Sequence, residues 1–158
     1  MDYRIGFSKD IHRLVPNRKL ILAGVEIPYE LGELAHSDGD VVFHAVSESL
    51  LGALALGDLG KHFPDNSDAT LNMDSAIIVK TVVKMMKDKG YKINNIDVFI
   101  SLEKPKLKDY IPQMRKNLAS LLEVEEEYVS LKAGTNEGCG EVGLCLAVEA
   151  TSTVLIKK

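Results

Sequence analysis

Polar and apolar positions alternate, cluster and break along this chain in a way that divides it into elements. Residues 3–14 read as a first strand. Lys19-Leu20-Ile21-Leu22-Ala23-Gly24-Val25-Glu26-Ile27-Pro28 reads as a short hairpin with Ala23-Gly24 near its turn. A loop over 32–37 then leads into a helix over about 39–56, where Asp38 or Asp40 serves the N-terminus. Ala45, Leu50, Leu51, Ala53 and Leu54 make that helix strongly apolar, as a buried helix is, and Gly57 ends it. The loop 58–70 carries Pro64 and several aspartates. A second helix runs from about Asp74 to Lys89, with Ile77, Ile78, Val82 and Met85 on one stripe, and Gly90 stops it. Ile96–Leu102 reads as a buried strand, Tyr110–Leu122 as a third helix, and Tyr128–Ala133 and Leu144–Ile156 as the strands that complete the sheet. The order predicts an α+β fold: a single-layer mixed β-sheet with three helices packed on one face.

No linker, low-complexity stretch or repeat interrupts the pattern, so residues 1–158 are expected to form one domain. The chain has 158 residues, 46% of them hydrophobic, enough for a core of its own. A formal net charge of −4 argues against a nucleic-acid surface, which is held mainly by Lys and Arg. There is no apolar run of membrane-spanning length, and Met1-Asp2-Tyr3-Arg4-Ile5-Gly6 is neither a secretion signal nor a transit peptide. Cys139 and Cys145 are too few for a disulfide framework and read as small buried hydrophobes, which fits a reduced, cytoplasmic setting.

The chemistry concentrates near the start. If Asp10 and His12 lie on a strand, the period of two turns both to one face. If His44 lies on the first helix, it supplies a third ligand from another element. Two imidazoles and a carboxylate around a metal with its fourth position open is the composition of a catalytic zinc site. Asp40, His44 and Glu48, four apart, would share a helix face, the plainer reading being a cap, a core histidine and a solvated glutamate. His36-Ser37-Asp38 offers an imidazole and a hydroxyl to a substrate, or simply caps the helix. Asp58 and Asp65, in Asp58-Leu59-Gly60-Lys61-His62-Phe63-Pro64-Asp65, suit sugar-like hydroxyls or tight turns. Lys104-Pro105-Lys106 puts two cations in a loop that suits a nucleotide. Lys132-Ala133-Gly134-Thr135-Asn136-Glu137-Gly138 lets backbone amides approach phosphate, with Glu137 available to a hard cation.

Taken in order, these segments resemble the 2-C-methyl-D-erythritol 2,4-cyclodiphosphate synthase family of the non-mevalonate isoprenoid pathway. The carriers are Arg4-Ile5-Gly6, Asp10-Ile11-His12-Arg13-Leu14, Ile27-Pro28-Tyr29-Glu30, Leu34-Ala35-His36-Ser37-Asp38-Gly39-Asp40-Val41 with His44, Leu56-Gly57-Asp58-Leu59-Gly60-Lys61, Phe63-Pro64-Asp65, Pro105-Lys106, Ile111-Pro112-Gln113-Met114-Arg115, and Lys132-Ala133 with Thr135 and Glu137. The resemblance implies an enzyme, a phosphorus–oxygen lyase. It closes 4-diphosphocytidyl-2-C-methyl-D-erythritol 2-phosphate into a cyclic diphosphate and releases CMP. It implies Zn2+ at Asp10, His12 and His44, and Mg2+ or Mn2+ at Glu137. It also implies catalytic roles for His36, Ser37 and Thr135, and substrate contacts from Asp58, Leu59, Gly60, Phe63, Pro64 and Asp65. Lys104, Pro105, Lys106, Leu107, Ala133, Gly134 and Thr135 would hold the cytidine and its phosphates. The partner implied is a homotrimer with each active site shared between subunits.

The chain departs from the family pattern at Ser8-Lys9, Glu48, Ser67, Gly134 and Asn136. It also has a shortened segment after Gly143, where Leu144-Cys145-Leu146 stands in place of an Arg-Gly-Glu stretch. A zinc-dependent phosphoesterase acting on a nucleotide or sugar phosphate, or a binding module stapled by its metal, would use the same triad differently.

Overall fold

The computed structural model describes residues 1–158. Strand β1 (Tyr3–Pro16) runs antiparallel to β7 (Ala147–Lys157) along most of its length, and β7 pairs antiparallel with β5 (Lys92–Ser101). β5 pairs in parallel with β6 (Val129–Gly134), and the short β4 (Leu31–Glu33) adds to the other edge beside β1. The result is a mixed five-stranded sheet in the order β4-β1-β7-β5-β6. The hairpin of β2 (Leu20–Leu22) and β3 (Val25–Ile27) stands apart as a second, two-stranded sheet. Its turn residues Ala23 and Gly24 both have positive φ, at 48° and 75°, as the twist of a two-residue hairpin demands.

Strand alternation gives the sheet two unlike faces. On one face Gly6, Ser8, Leu14, Val148, Ala150, Ser152, Val154, Ile96, Val98 and Ile100 are buried under helices. Helix α1 (Val41–Ala53) lies across β1 and β7, α4 (Ile111–Leu122) lies along β6, and α3 (Ser75–Asp88) packs against both helices. Gly6 permits the closest of these approaches. A Cβ there would stand 1.9 Å from the Ser49 carbonyl oxygen of α1. The opposite face is uncovered: Ile5 is 70% and Phe7 64% exposed, with Tyr3, Ile11 and Phe99 beside them.

The expected strands and three long helices are present, with four adjustments. Gly32 and Glu33, expected as the start of a loop, form the edge strand β4 with Leu31. Single helical turns appear at α2 (Leu59–His62) and α5 (Gly140–Gly143), so there are five helices rather than three. β7 begins at Ala147 rather than Leu144, because residues 140–146 close a tight loop in which Gly143 sits against the backbone of Gly138. The same loop leaves Cys139 exposed and Cys145 half-buried, so neither is the core residue that the sequence suggested. Finally, the buried stripe of α3 is Ile78, Val79, Val82, Val83 and Met86. Ile77 faces outward, because α3 meets α1 and α4 on a face turned by one position. No helix is long and apolar enough to cross a membrane.

Candidate metal centre and its two clefts

Asp10 and His12 occupy alternate positions on the helix-covered side of β1, and His44 faces them from the first turn of α1. The strand period and the helix packed across it bring three ligand atoms together without any loop. His12 Nε2 is 3.1 Å from Asp10 Oδ2, His44 Nδ1 is 3.3 Å from the same oxygen, and the two ring nitrogens are 3.3 Å apart. A tetrahedral ion with bonds of 2.0–2.1 Å needs edges of about 3.3–3.4 Å between its ligands. The triangle already has the size of one face of that tetrahedron, so the residues fit a zinc ion.

The atoms behind the ligands point the same way. His12 Nδ1 donates to the Gly39 carbonyl at 2.7 Å, which leaves Nε2 turned inward. His44 Nε2 contacts Ser37 Oγ at 3.1 Å and Ser75 Oγ at 3.0 Å. Burial would raise the Asp10 carboxyl, but hydrogen bonds from His12 and His44 outweigh it and hold the group well below the usual carboxylate range. Burial likewise disfavours a charged His12, yet Asp10 and Glu33 raise its pKa to about 10. Glu33, wholly buried, accepts from the Ile21 and Val41 amides at 3.2 and 3.0 Å and stands 3.8 Å from His12 Nδ1. Burial pushes its own carboxyl up to about 7. It was not anticipated from sequence, where a lone acid between two glycine-bearing turns carries no signal.

Asp40 does not join His44 and Glu48 on a shared face. As the N-cap it lies outside the helical repeat, and it accepts from the Phe43, Ala23 and Gly24 amides at 3.1, 3.0 and 2.7 Å. Glu48 does face the metal-site cleft. It accepts from Ser8 Oγ at 2.8 Å and from the Leu59 amide at 3.2 Å, tying α2 to the sheet.

The triad opens into a cleft of about 350 Å3, lined also by His36, Ser37, Leu59, Gly60, Phe63 and Asp65. The His36 ring contacts the Ser67 carbonyl at 2.9 Å, and Ser37 Oγ accepts from the Gly39 amide at 3.2 Å. Asp58 and Pro64 are not part of the lining; Asp58 caps α2 by accepting from the Lys61 amide at 3.0 Å. A second cleft of about 550 Å3 is lined by Pro105, Lys106 and Leu107 on one side and Ala133, Gly134 and Thr135 on the other. The two loops singled out in sequence thus form one cavity within a single chain. Lys104, expected there as well, is not part of the lining; a cis peptide joins it to Pro105. Glu137 is exposed, its amide donating to Thr135 Oγ1 at 3.3 Å, and no other metal-type cluster surrounds it.

The clefts are set apart. Asp10 pairs with Ala150, Ala150 with Ile100, and Ile100 with Ala133, so triad and second cleft occupy one row of the sheet three strand spacings apart, about 14 Å.

An α+β chain with an open His-His-carboxylate centre in a cleft lined also by His36, Ser37, Glu48 and Asp65 has the build of a metal-assisted enzyme. The family that shares this build can be named. Residues 3–157 match the model of the YgbB family, and the chain belongs to that family, the 2-C-methyl-D-erythritol 2,4-cyclodiphosphate synthases. It is 47% identical over 155 residues to the synthase of Fusobacterium nucleatum subsp. nucleatum, covering 98% of this chain and 97% of that one. Among solved structures, it matches the bifunctional IspDF of Campylobacter jejuni with TM-score 0.94 and 35% identity, covering 99% of this chain but spanning only 42% of that longer one. It also matches a Plasmodium falciparum IspF in complex with CDP, with TM-score 0.86 and 32% identity over 98% of this chain and 95% of that one.

Proposed function

We propose that this chain closes 4-diphosphocytidyl-2-C-methyl-D-erythritol 2-phosphate into 2-C-methyl-D-erythritol 2,4-cyclodiphosphate with release of CMP. The attacking 2-phosphate and the β-phosphate it attacks belong to one molecule, so no protein nucleophile is required. Holding that molecule folded is the main task, and such positioning can be worth about 7–11 kcal/mol. The observation that carries the reading is the Asp10–His12–His44 triangle at tetrahedral spacing, opening onto His36 and Ser37.

Asp10, His12 and His44 would hold Zn2+, and bound there it supplies positive charge against the diphosphate oxygens. His36 and Ser37 orient the 2-phosphate from the cleft wall. Gly60 and Asp65, with the Asp58-capped turn behind them, meet the erythritol hydroxyls. Lys106, Leu107 and the Ala133–Thr135 backbone receive the cytidine end, in keeping with the CDP held by the Plasmodium falciparum relative. Thr135 and Glu137 serve the phosphates, with Mg2+ or Mn2+ at Glu137.

The separation of triad and nucleotide cleft supports a shared site, in which one chain supplies the metal centre and a neighbour the cytidine cleft. The uncovered apolar sheet face supports a homotrimer built around that face.

Incubation with the diphosphocytidyl substrate tests the reaction. Equimolar cyclic diphosphate and CMP is the expected result. Release of inorganic phosphate, or of CMP together with an uncyclised 2,4-bisphosphate, would instead identify a zinc phosphoesterase.

A further inference from the structure

Ser75 stands at the start of α3, wholly buried, thirty-one residues from the nearest metal ligand in sequence. Its hydroxyl donates to Asp38 Oδ1, and Asp38 Oδ2 accepts from the Ser75 amide at 3.1 Å. On the other side, Ser75 Oγ lies 3.0 Å from His44 Nε2. Ser37 Oγ is 3.4 Å from it, too far to compete with Asp38 for the proton.

A hydroxyl has one proton to give, and a carboxylate only accepts. The Ser75 proton therefore goes to Asp38. Ser75 Oγ is left to accept from His44, which places the ring proton on Nε2. That choice leaves Nδ1 bare, and Nδ1 is the atom that faces Asp10 Oδ2 and His12 Nε2. A consequence follows for Ser37. Its Oγ, 3.1 Å from His44 Nε2, can only accept from that N–H, as it accepts from the Gly39 amide. The Ser37 proton is then free to point at an anion in the cleft.

The geometry points to Asp38 and Ser75 as positioning residues for the metal centre: a relay from carboxylate to hydroxyl to imidazole that fixes the His44 tautomer with Nδ1 open to the ion. This rests on the metal centre proposed above. The relay also gives α3 a role at a site it does not line with charge, since its first residue sets the proton on a ligand borne by α1.

The test is zinc affinity, measured by competition with a chromophoric chelator for the wild type, Ser75→Ala, Asp38→Asn and the double variant. Nitrogen-15 spectra of the zinc-loaded histidine rings and far-UV circular dichroism accompany it. Each single variant is expected to lose about 10–100-fold in zinc affinity. The double variant should lose no more than the weaker single, because both act through one chain of bonds. The wild-type spectrum should show the His44 proton on Nε2, exchanging faster with water in Asp38→Asn, while helical ellipticity is kept throughout. Unchanged affinity in both single variants overturns the relay. So do losses that add in the double variant, or a zinc loss seen only together with lost ellipticity. A wild-type chain that takes up no zinc would overturn the metal centre itself, a result separate from variants that match a zinc-binding wild type.

Discussion

Asp10 and His12 sit two apart on a strand, and that spacing alone aims both at one point; His44 is the residue that turns a pair into a site. Replacing His44 with Ala removes one of three ligands and leaves the two others to share a cation with water. Zinc content should fall to background, and turnover by on the order of a thousandfold, as loss of several kcal/mol of charge stabilisation implies. Circular dichroism should be little changed, because His44 is only partly buried. Loss of the fold along with the metal would make the ion a staple rather than a catalyst. The pH dependence of the metal-stripped protein follows from the same residues. His12 has its pKa raised from 6.5 to about 10, so its pairing stabilises the fold fully below pH 6.5 and is lost as pH rises toward 10. Asp10 is lowered from 3.8, so its share is present above that value and lost in stronger acid. The melting temperature of the stripped protein should therefore fall between pH 6.5 and 10. The increment added by zinc should grow over the same range, since zinc must displace the His12 proton. A flat profile for both would contradict this reading.

At the scale of elements, the site depends on how closely α1 lies on β1. Gly6 sets that distance, and Gly6→Ala would force its new methyl into the Ser49 carbonyl. Overpacking of this kind typically costs about 1–3 kcal/mol, and more where backbone must move. Here the clash is with backbone, so chemical denaturation should show at least that loss, together with weaker zinc binding as His44 moves off the triad. Gly6→Ala with wild-type stability would mean that α1 does not need this contact. The metal ligands were legible in sequence because their geometry comes from a strand period and one helix. So were the hairpin, the three long helices and the two loops at 104–106 and 132–138 as separate candidates, though not that they line one cleft. Glu33 and Ser75 were not legible, since their roles come from tertiary approach across 21 and 31 residues respectively. The one-turn helix α5 was hidden as well. Leu144-Cys145-Leu146 has the composition of a strand, and only the contact of Gly143 with Gly138 turns that segment back.

At the scale of the whole molecule, the sheet has one bare apolar face, the face on which the trimer is proposed to assemble. Ile5 and Phe7 lie on that face, 70% and 64% exposed in the single chain. Light scattering should give the mass of three chains for the wild type, and Phe7→Asp should shift it toward one, with turnover lost while zinc remains bound. A wild-type monomer with full activity would refute the shared site. The proposed reaction needs the ion, and an anomalous difference map at the zinc edge from crystals of the zinc-loaded protein tests for it most directly. The predicted result is one peak about 2 Å from Asp10 Oδ2, His12 Nε2 and His44 Nδ1, with no protein atom at the fourth position. A map without that peak, or with a fourth protein ligand closing the site, would contradict it.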